Sequence, residues 1–174
     1  MSDNSQDITI GNQQERLFFE IGYLAGMVDG EGACQFGYKY YYKGCKVYSP
    51  RITIFNTNPE IIRLTKEFLD HLEIPYYYWS PKWKERDQWQ GWRVEIGGLK
   101  RVKKFTDILL KYPTGKQDRL QVLNDFCNYR LTVNRKKYGL EEQKFFDKLR
   151  ELNKLYRGKQ KIESSETIRS DATA

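Results

Sequence analysis

The sequence predicts an α+β fold in which a helix and two strands occur twice in succession and a further helix follows, αββαββα, with additional helices on the C-terminal side. Three observations predict it. Apolar residues recur at helical spacing from Glu15 to Asp29, and the period changes to two from Ala33 to Lys39. The same succession, one helical stretch and two alternating ones, then repeats from Asn58 to Ile96. A chain of 174 residues with 39% hydrophobic content suits one domain around one core.

The first helix, Glu15 to Asp29, carries Leu17, Ile21, Leu24 and Val28 on one face, and Gly30-Glu31-Gly32 ends it. In the strand that follows, Cys34, Phe36 and Tyr38 alternate with Gln35, Gly37 and Lys39, the pattern of a half-buried strand. A turn over Tyr40 to Val47 leads to a second strand, Tyr48 to Phe55, with Arg51, Thr53 and Phe55 opposite Ile52 and Ile54. Asn58-Pro59 is a helix start, a capping side chain followed by proline at the first helical position. Ile61, Leu64, Phe68 and Leu72 give that helix its apolar stripe, and Pro75 lies beyond its end.

A second hairpin is predicted from Tyr76 to Lys84 and Gln88 to Ile96, and it holds all four tryptophans, Trp79, Trp83, Trp89 and Trp92, for which core packing and cross-strand pairing are expected of at least two. Gly97-Gly98 opens a helix with Val102, Phe105 and Leu109. Helices over Asp118 to Leu131 and Glu141 to Arg157 complete the chain. Residues 1–14 read as a polar arm, 15–157 as the folded domain and 158–174 as a basic, polar tail.

Composition narrows the chemistry. Thirty basic against 23 acidic residues, a net charge of +7, favour a polyanionic partner. Cys34, Cys45 and Cys127 show no C-x-x-C spacing and His71 is the single histidine, which excludes zinc-finger sites and leaves oxygen as the donor for any metal. His71 lies in a helical pattern where a surface or packing role fits better than catalysis. No apolar run reaches membrane-spanning length and no signal peptide is evident, so an intracellular protein is expected.

The first helix is unusual. Gly22, Gly26 and Gly30 are spaced by four and form one stripe, though each glycine costs roughly 1 kcal/mol against alanine in a helix interior. Spacing alone leaves two readings open: close approach of a second helix, or glycines that fray the helix end or fit the chain's own sheet. Asp29 and Glu31 stand at the negative end of the helix dipole, unfavourable unless a cation compensates. Carboxylate oxygens completed by phosphate and water are how Mg²⁺ is bound.

The stretch Leu24-Ala25-Gly26-Met27-Val28-Asp29-Gly30-Glu31-Gly32 resembles the motif that names the LAGLIDADG homing endonucleases, in its Leu-Ala-Gly, its two acids and its closing glycine. The resemblance extends over the αββαββα order from Glu15 to Leu131, and weakly to the Ser165–Arg169 segment. It implies a saddle-shaped antiparallel sheet that binds DNA. One motif copy implies a homodimer paired through the motif helix, with Gly22, Tyr23, Gly26, Met27 and Gly30 in the interface. Asp29 is then structural, and Glu31, with the Gly30 carbonyl, holds the metal. The family's position for Glu31 carries aspartate in other members, so this carboxylate reaches one methylene further.

By motif order the surrounding catalytic residues are Lys116, Gln117, Asn58 and Arg63. Asn58 reads more readily as a helix cap than as a catalytic residue, and Arg63 equally as a solvated helix residue. Contacts to DNA are expected from Gln35, Lys39, Arg51 and Thr53 on the first hairpin and from Lys82, Lys84, Gln90, Arg93 and Glu95 on the second. Lys159, Lys161 and Arg169 in the tail would meet phosphates or simply be solvated. The implied activity is Mg²⁺-dependent hydrolysis of one phosphodiester per strand at a long pseudo-palindromic site, leaving short 3′ overhangs. Mn²⁺ would substitute, and Ca²⁺ would bind without supporting cleavage. The alternatives are an intron RNA maturase and a DNA-binding protein of the same fold without activity.

Overall fold

A computed structural model describes residues 5–40, 46–80, 91–133 and 139–170, with the backbone alone for 5–11, 39–40, 46 and 156–170. The elements are α1 (Ser5–Glu31), β1 (Gly32–Tyr40), β2 (Lys46–Asn56), α2 (Pro59–His71), β3 (Tyr77–Trp79), β4 (Trp92–Gly97), α3 (Leu99–Leu109), α4 (Gln117–Thr132) and α5 (Leu140–Ser170). This is the predicted αββαββα order followed by two helices. The strands form one antiparallel sheet in the order β1-β2-β4-β3, with Gly32 opposite Ile54, Thr53 opposite Glu95 and Tyr77 opposite Glu95 on its other side.

Alternation sorts the sheet into two faces. Cys34, Ile52, Ile54, Val94 and Ile96 are buried against the helices, each of the larger side chains contributing about 1.5–3 kcal/mol by leaving water. Phe105, Leu120, Leu123 and Phe126 close the core from α3 and α4. Phe36 meets Phe126 edge-on at 4.7 Å, and Phe145 and Phe146 bring α5 onto the same layer. Tyr38, expected on the half-buried face, is exposed and meets Phe146 at the margin of this layer. The opposite face is open.

Three boundaries differ from expectation. Helix α1 starts at Ser5, inside the expected arm, and α5 runs on to Ser170 through the expected tail, because no proline interrupts either stretch and an existing helix propagates readily. The buried stripe of α2 is Ile62, Thr65, Phe68 and Leu69, rotated from the expected Ile61, Leu64, Phe68 and Leu72, of which only Phe68 is buried. Leu17, expected in the core, is 45% exposed on the part of α1 that precedes the buried residues Ile21, Leu24, Ala25 and Val28. Among the described residues no helix is long and apolar enough to cross a membrane.

Candidate active site

Helix α1 ends at the sheet. Ile21, Leu24, Ala25 and Val28 are buried, while Gly22, Gly26 and Gly30 are exposed, and among the described residues nothing beyond the helix's own neighbouring backbone lies within 4 Å of where a Cβ would stand. The helix thus shows bare backbone to the outside along three turns, with Tyr23 and Met27 half-buried beside the stripe. Exposed Phe18 and Phe19 stand at its upper end.

At the lower end the two motif acids have separate surroundings. Asp29 accepts the backbone N–H of Gly115 at 2.8 Å and of Lys116 at 3.2 Å, so it ties the end of α1 to the start of α4 within the same chain. The Lys116 ammonium is buried and donates to the carbonyls of Val28 at 2.8 Å and Gly32 at 2.7 Å. It satisfies orphan carbonyls of the helix end and is the cation the dipole there favours. Burial pulls its pKa below the ordinary lysine value, against the opposing pull of Asp29 and Glu31. Gly32 has no room for a side chain, since a Cβ would stand 2.5 Å from the Val28 carbonyl oxygen. Beneath them the buried Cys34 thiol is pushed up to about 12 by desolvation and stays neutral.

Glu31 is different. It is exposed, and its carboxylate has neither a hydrogen bond nor an ion pair among the described residues. No group of three or more His, Cys, Asp or Glu able to hold a metal occurs among the described residues. Glu31 thus stands, among the described residues, as an unengaged carboxylate beside the exposed backbone of Gly30, oxygen donors of the kind a hard cation takes.

The other sequence-predicted residues are placed as follows. Because Gly32 pairs with Ile54, the turn into α2 leaves the sheet at the end where α1 enters it. Asn58 caps α2 by accepting the Glu60 N–H at 2.9 Å, and its own N–H is held by Asn56 Oδ1 at 2.8 Å. Arg63 is exposed and paired with Glu60 and Glu67 on its own helix. Gln117 is turned to the preceding loop, donating to the Leu110 carbonyl at 3.1 Å and accepting from Thr114. Of this set, Lys116 is the one brought together with Asp29 and Glu31. The role of the Gly115 N–H was not visible in sequence; the Thr114-Gly115 turn was its only trace.

On the open sheet face, register aligns Gln35, Arg51, Thr53, Arg93 and Glu95, as the alternation predicts, and places Lys39 in the same row of the backbone. Thr53 and Glu95 are buried there beneath their neighbours rather than offered to solvent. Trp79 is 45% exposed under the Arg93 guanidinium, and Trp92 is half-buried against the core. Lys82, Lys84 and Gln90, with Trp83 and Trp89, lie outside the described residues, and Lys159, Lys161 and Arg169 are described in backbone only, within α5.

No protein-family model matches the chain, and no curated protein matches it in sequence. Solved structures do. The homing endonuclease I-CvuI, in complex with its target in the presence of calcium, matches with a TM-score of 0.52 at 13% identity, over 79% of this chain and 97% of that one. The archaeal intron-encoded homing endonuclease I-Vdi141I complexed with DNA gives 0.51 at 15% identity over 78% and 97%. The homing endonuclease I-TnaI gives 0.51 at 14% over 75% and 96%. At such identities the likeness is one of fold: this chain has the α+β fold of the LAGLIDADG homing endonucleases, five helices about a four-stranded antiparallel sheet among the described residues.

Proposed function

We propose that the chain is a site-specific, divalent-metal-dependent endonuclease for double-stranded DNA, acting as a homodimer. The observation that carries this reading is Glu31: an exposed carboxylate with no hydrogen bond or ion pair among the described residues, at the foot of a helix whose glycine face is open. A second copy of α1 packed on Gly22, Gly26 and Gly30 brings the two Glu31 side chains to one place. That supplies a second carboxylate beside the first.

The residues fit Mg²⁺ as far as oxygen donors go. Glu31 and the Gly30 carbonyl would hold it, with scissile phosphate and water as further ligands. Bound there, a divalent ion supplies an activated water and neutralises charge developing on phosphate. Mn²⁺ is expected to serve as well, and Ca²⁺ to bind without cleavage. Lys116 keeps the helix end in place and adds positive potential beside Glu31, while Asp29 fixes the height of α1 against α4. The open face of the sheet, in a chain of charge +7, is the surface offered to the duplex.

Selection from a randomised DNA library in the presence of Mg²⁺ tests the reading. It predicts one long, nearly two-fold symmetric duplex, cut once on each strand with short 3′ overhangs. Selective binding without cleavage at any Mg²⁺ or Mn²⁺ concentration would leave a DNA-binding protein that has lost the chemistry.

A further inference from the structure

A carboxylate lies in the middle of the open sheet face. Arg51, Thr53, Arg93 and Glu95 share that face by register, yet the Glu95 side chain is only 11% exposed while those of Arg51 and Arg93 are 30% and 41% exposed. A single oxygen, Glu95 Oε2, gathers the group. Arg93 Nη2 donates to it, Thr53 Oγ1 reaches it at 3.5 Å and Arg51 Nη1 stands 3.6 Å away. Thr53 Oγ1 in turn accepts from Gln35 Nε2 at 3.1 Å. The network joins β1, β2 and β4.

Both guanidiniums are also confined from outside. Arg51 lies across Gly37, where a Cβ would fall 1.5 Å from its Nη2, so the glycine makes room for it. Arg93 stacks on Trp79, its guanidinium carbon 4.7 Å from the ring centre, and its Nε is buried with no hydrogen-bond partner among the described residues. These are arginines with few rotamers left to them.

An acid at this point works against indiscriminate phosphate binding. A mobile arginine neutralises phosphate and adds affinity without sequence information, whereas a guanidinium in fixed orientation can engage the O6 and N7 of guanine. Discrimination also grows when binding to the wrong partner is made worse. We propose that Glu95 is a positioning and specificity-determining residue of the DNA interface. It cancels positive charge toward arbitrary duplex and aims Arg51 and Arg93 at base edges, rather than contacting a base itself. The inference rests on the DNA-cleaving reading above.

The test uses the full-length protein, the duplex it selects from a randomised library, and a scrambled duplex of equal length, titrated over a range of salt. In Glu95→Gln, binding to the scrambled duplex should tighten about fivefold, the slope of log K against log salt should steepen by about one, and the selected-to-scrambled ratio should fall about tenfold. Glu95→Asp keeps the charge but withdraws the oxygen by one methylene. It should keep the wild-type salt slope and lose the ratio. If both variants hold the ratio within about twofold of wild type, Glu95 has no such role. If the wild type itself selects no duplex over the scrambled one, the DNA reading fails and takes this proposal with it.

Discussion

Lys116 shows how one residue can stabilise the fold and shape the site at once. Its ammonium is buried and spans two carbonyls at the end of α1, so its removal strands both acceptors next to Asp29. Lys116→Met should cost about 2 kcal/mol in urea unfolding, since a hydrogen bond to a charged group is worth roughly 1.5–3 kcal/mol. A variant as stable as wild type would show that the carbonyls find other donors. Sequence revealed that Lys116 belongs near the motif but not what it binds, because its partners Val28 and Gly32 lie in a distant part of the chain and no local pattern encodes them. Asn58 is the opposite case. Its cap is written locally in Asn58-Pro59, and the structure shows the Glu60 N–H, two residues on, donating to its side chain. Arg63 and Gln117 were placed by motif order alone, and their side chains are engaged with Glu60, Glu67, Leu110 and Thr114.

Among the elements, α2 and α5 offer two direct tests. Helix α2 is followed by Glu73 at φ 52°, a left-handed conformation that costs a side-chain-bearing residue roughly 1–2 kcal/mol, while Ile74 N–H closes back on the Leu69 carbonyl at 2.9 Å. Glu73→Gly should therefore raise stability by about 0.5–1 kcal/mol and the melting temperature by about 2–3 °C, measured by thermal unfolding. A fall would mean that the Lys104 contacts to Glu73 outweigh the strain.

Helix α5 is joined to α4 by Glu142, buried and paired with Arg130 at 2.9 Å, and accepting the Gly139 N–H at 2.8 Å. Burial works to raise the Glu142 carboxyl, but these donors outweigh it and hold its pKa below the usual carboxylate value. A depressed folded pKa means stability that is present above the unfolded pKa and is lost as the pH falls through the folded one. Glu142→Gln should cost about 3 kcal/mol near neutral pH by removing the carboxylate that Arg130 and the Gly139 N–H engage, and that difference should shrink as the pH falls below the usual carboxylate range. A difference independent of pH would remove the ion pair as its cause. That α5 reaches Ser170 was hidden in the sequence: its polar second half has no apolar period to read, while a helix once started propagates readily.

For the whole molecule, the order of elements and the division of the sheet into a packed and an open face were legible because both follow from local periods of 3.6 and 2. The rotation of α2 was not, since the adjacent pairs Ile61 and Ile62, and Phe68 and Leu69, leave two apolar stripes to choose from and only packing decides. The proposed homodimer rests on the open glycine face of α1. Gly26→Leu places a large side chain where the proposed second backbone would approach, and light scattering is expected to find the wild type as a dimer and this variant as a monomer at the same concentration. A dimer that survives this change would put the contact elsewhere.

The central claim joins that face to the chemistry through Glu31, and Glu31→Gln tests it most directly. The account predicts an intact dimer, binding of the selected duplex within about threefold of wild type, and a cleavage rate in Mg²⁺ lower by about a thousandfold or more, because metal stabilisation worth several kcal/mol is lost. Cleavage by Glu31→Gln at close to the wild-type rate would contradict it.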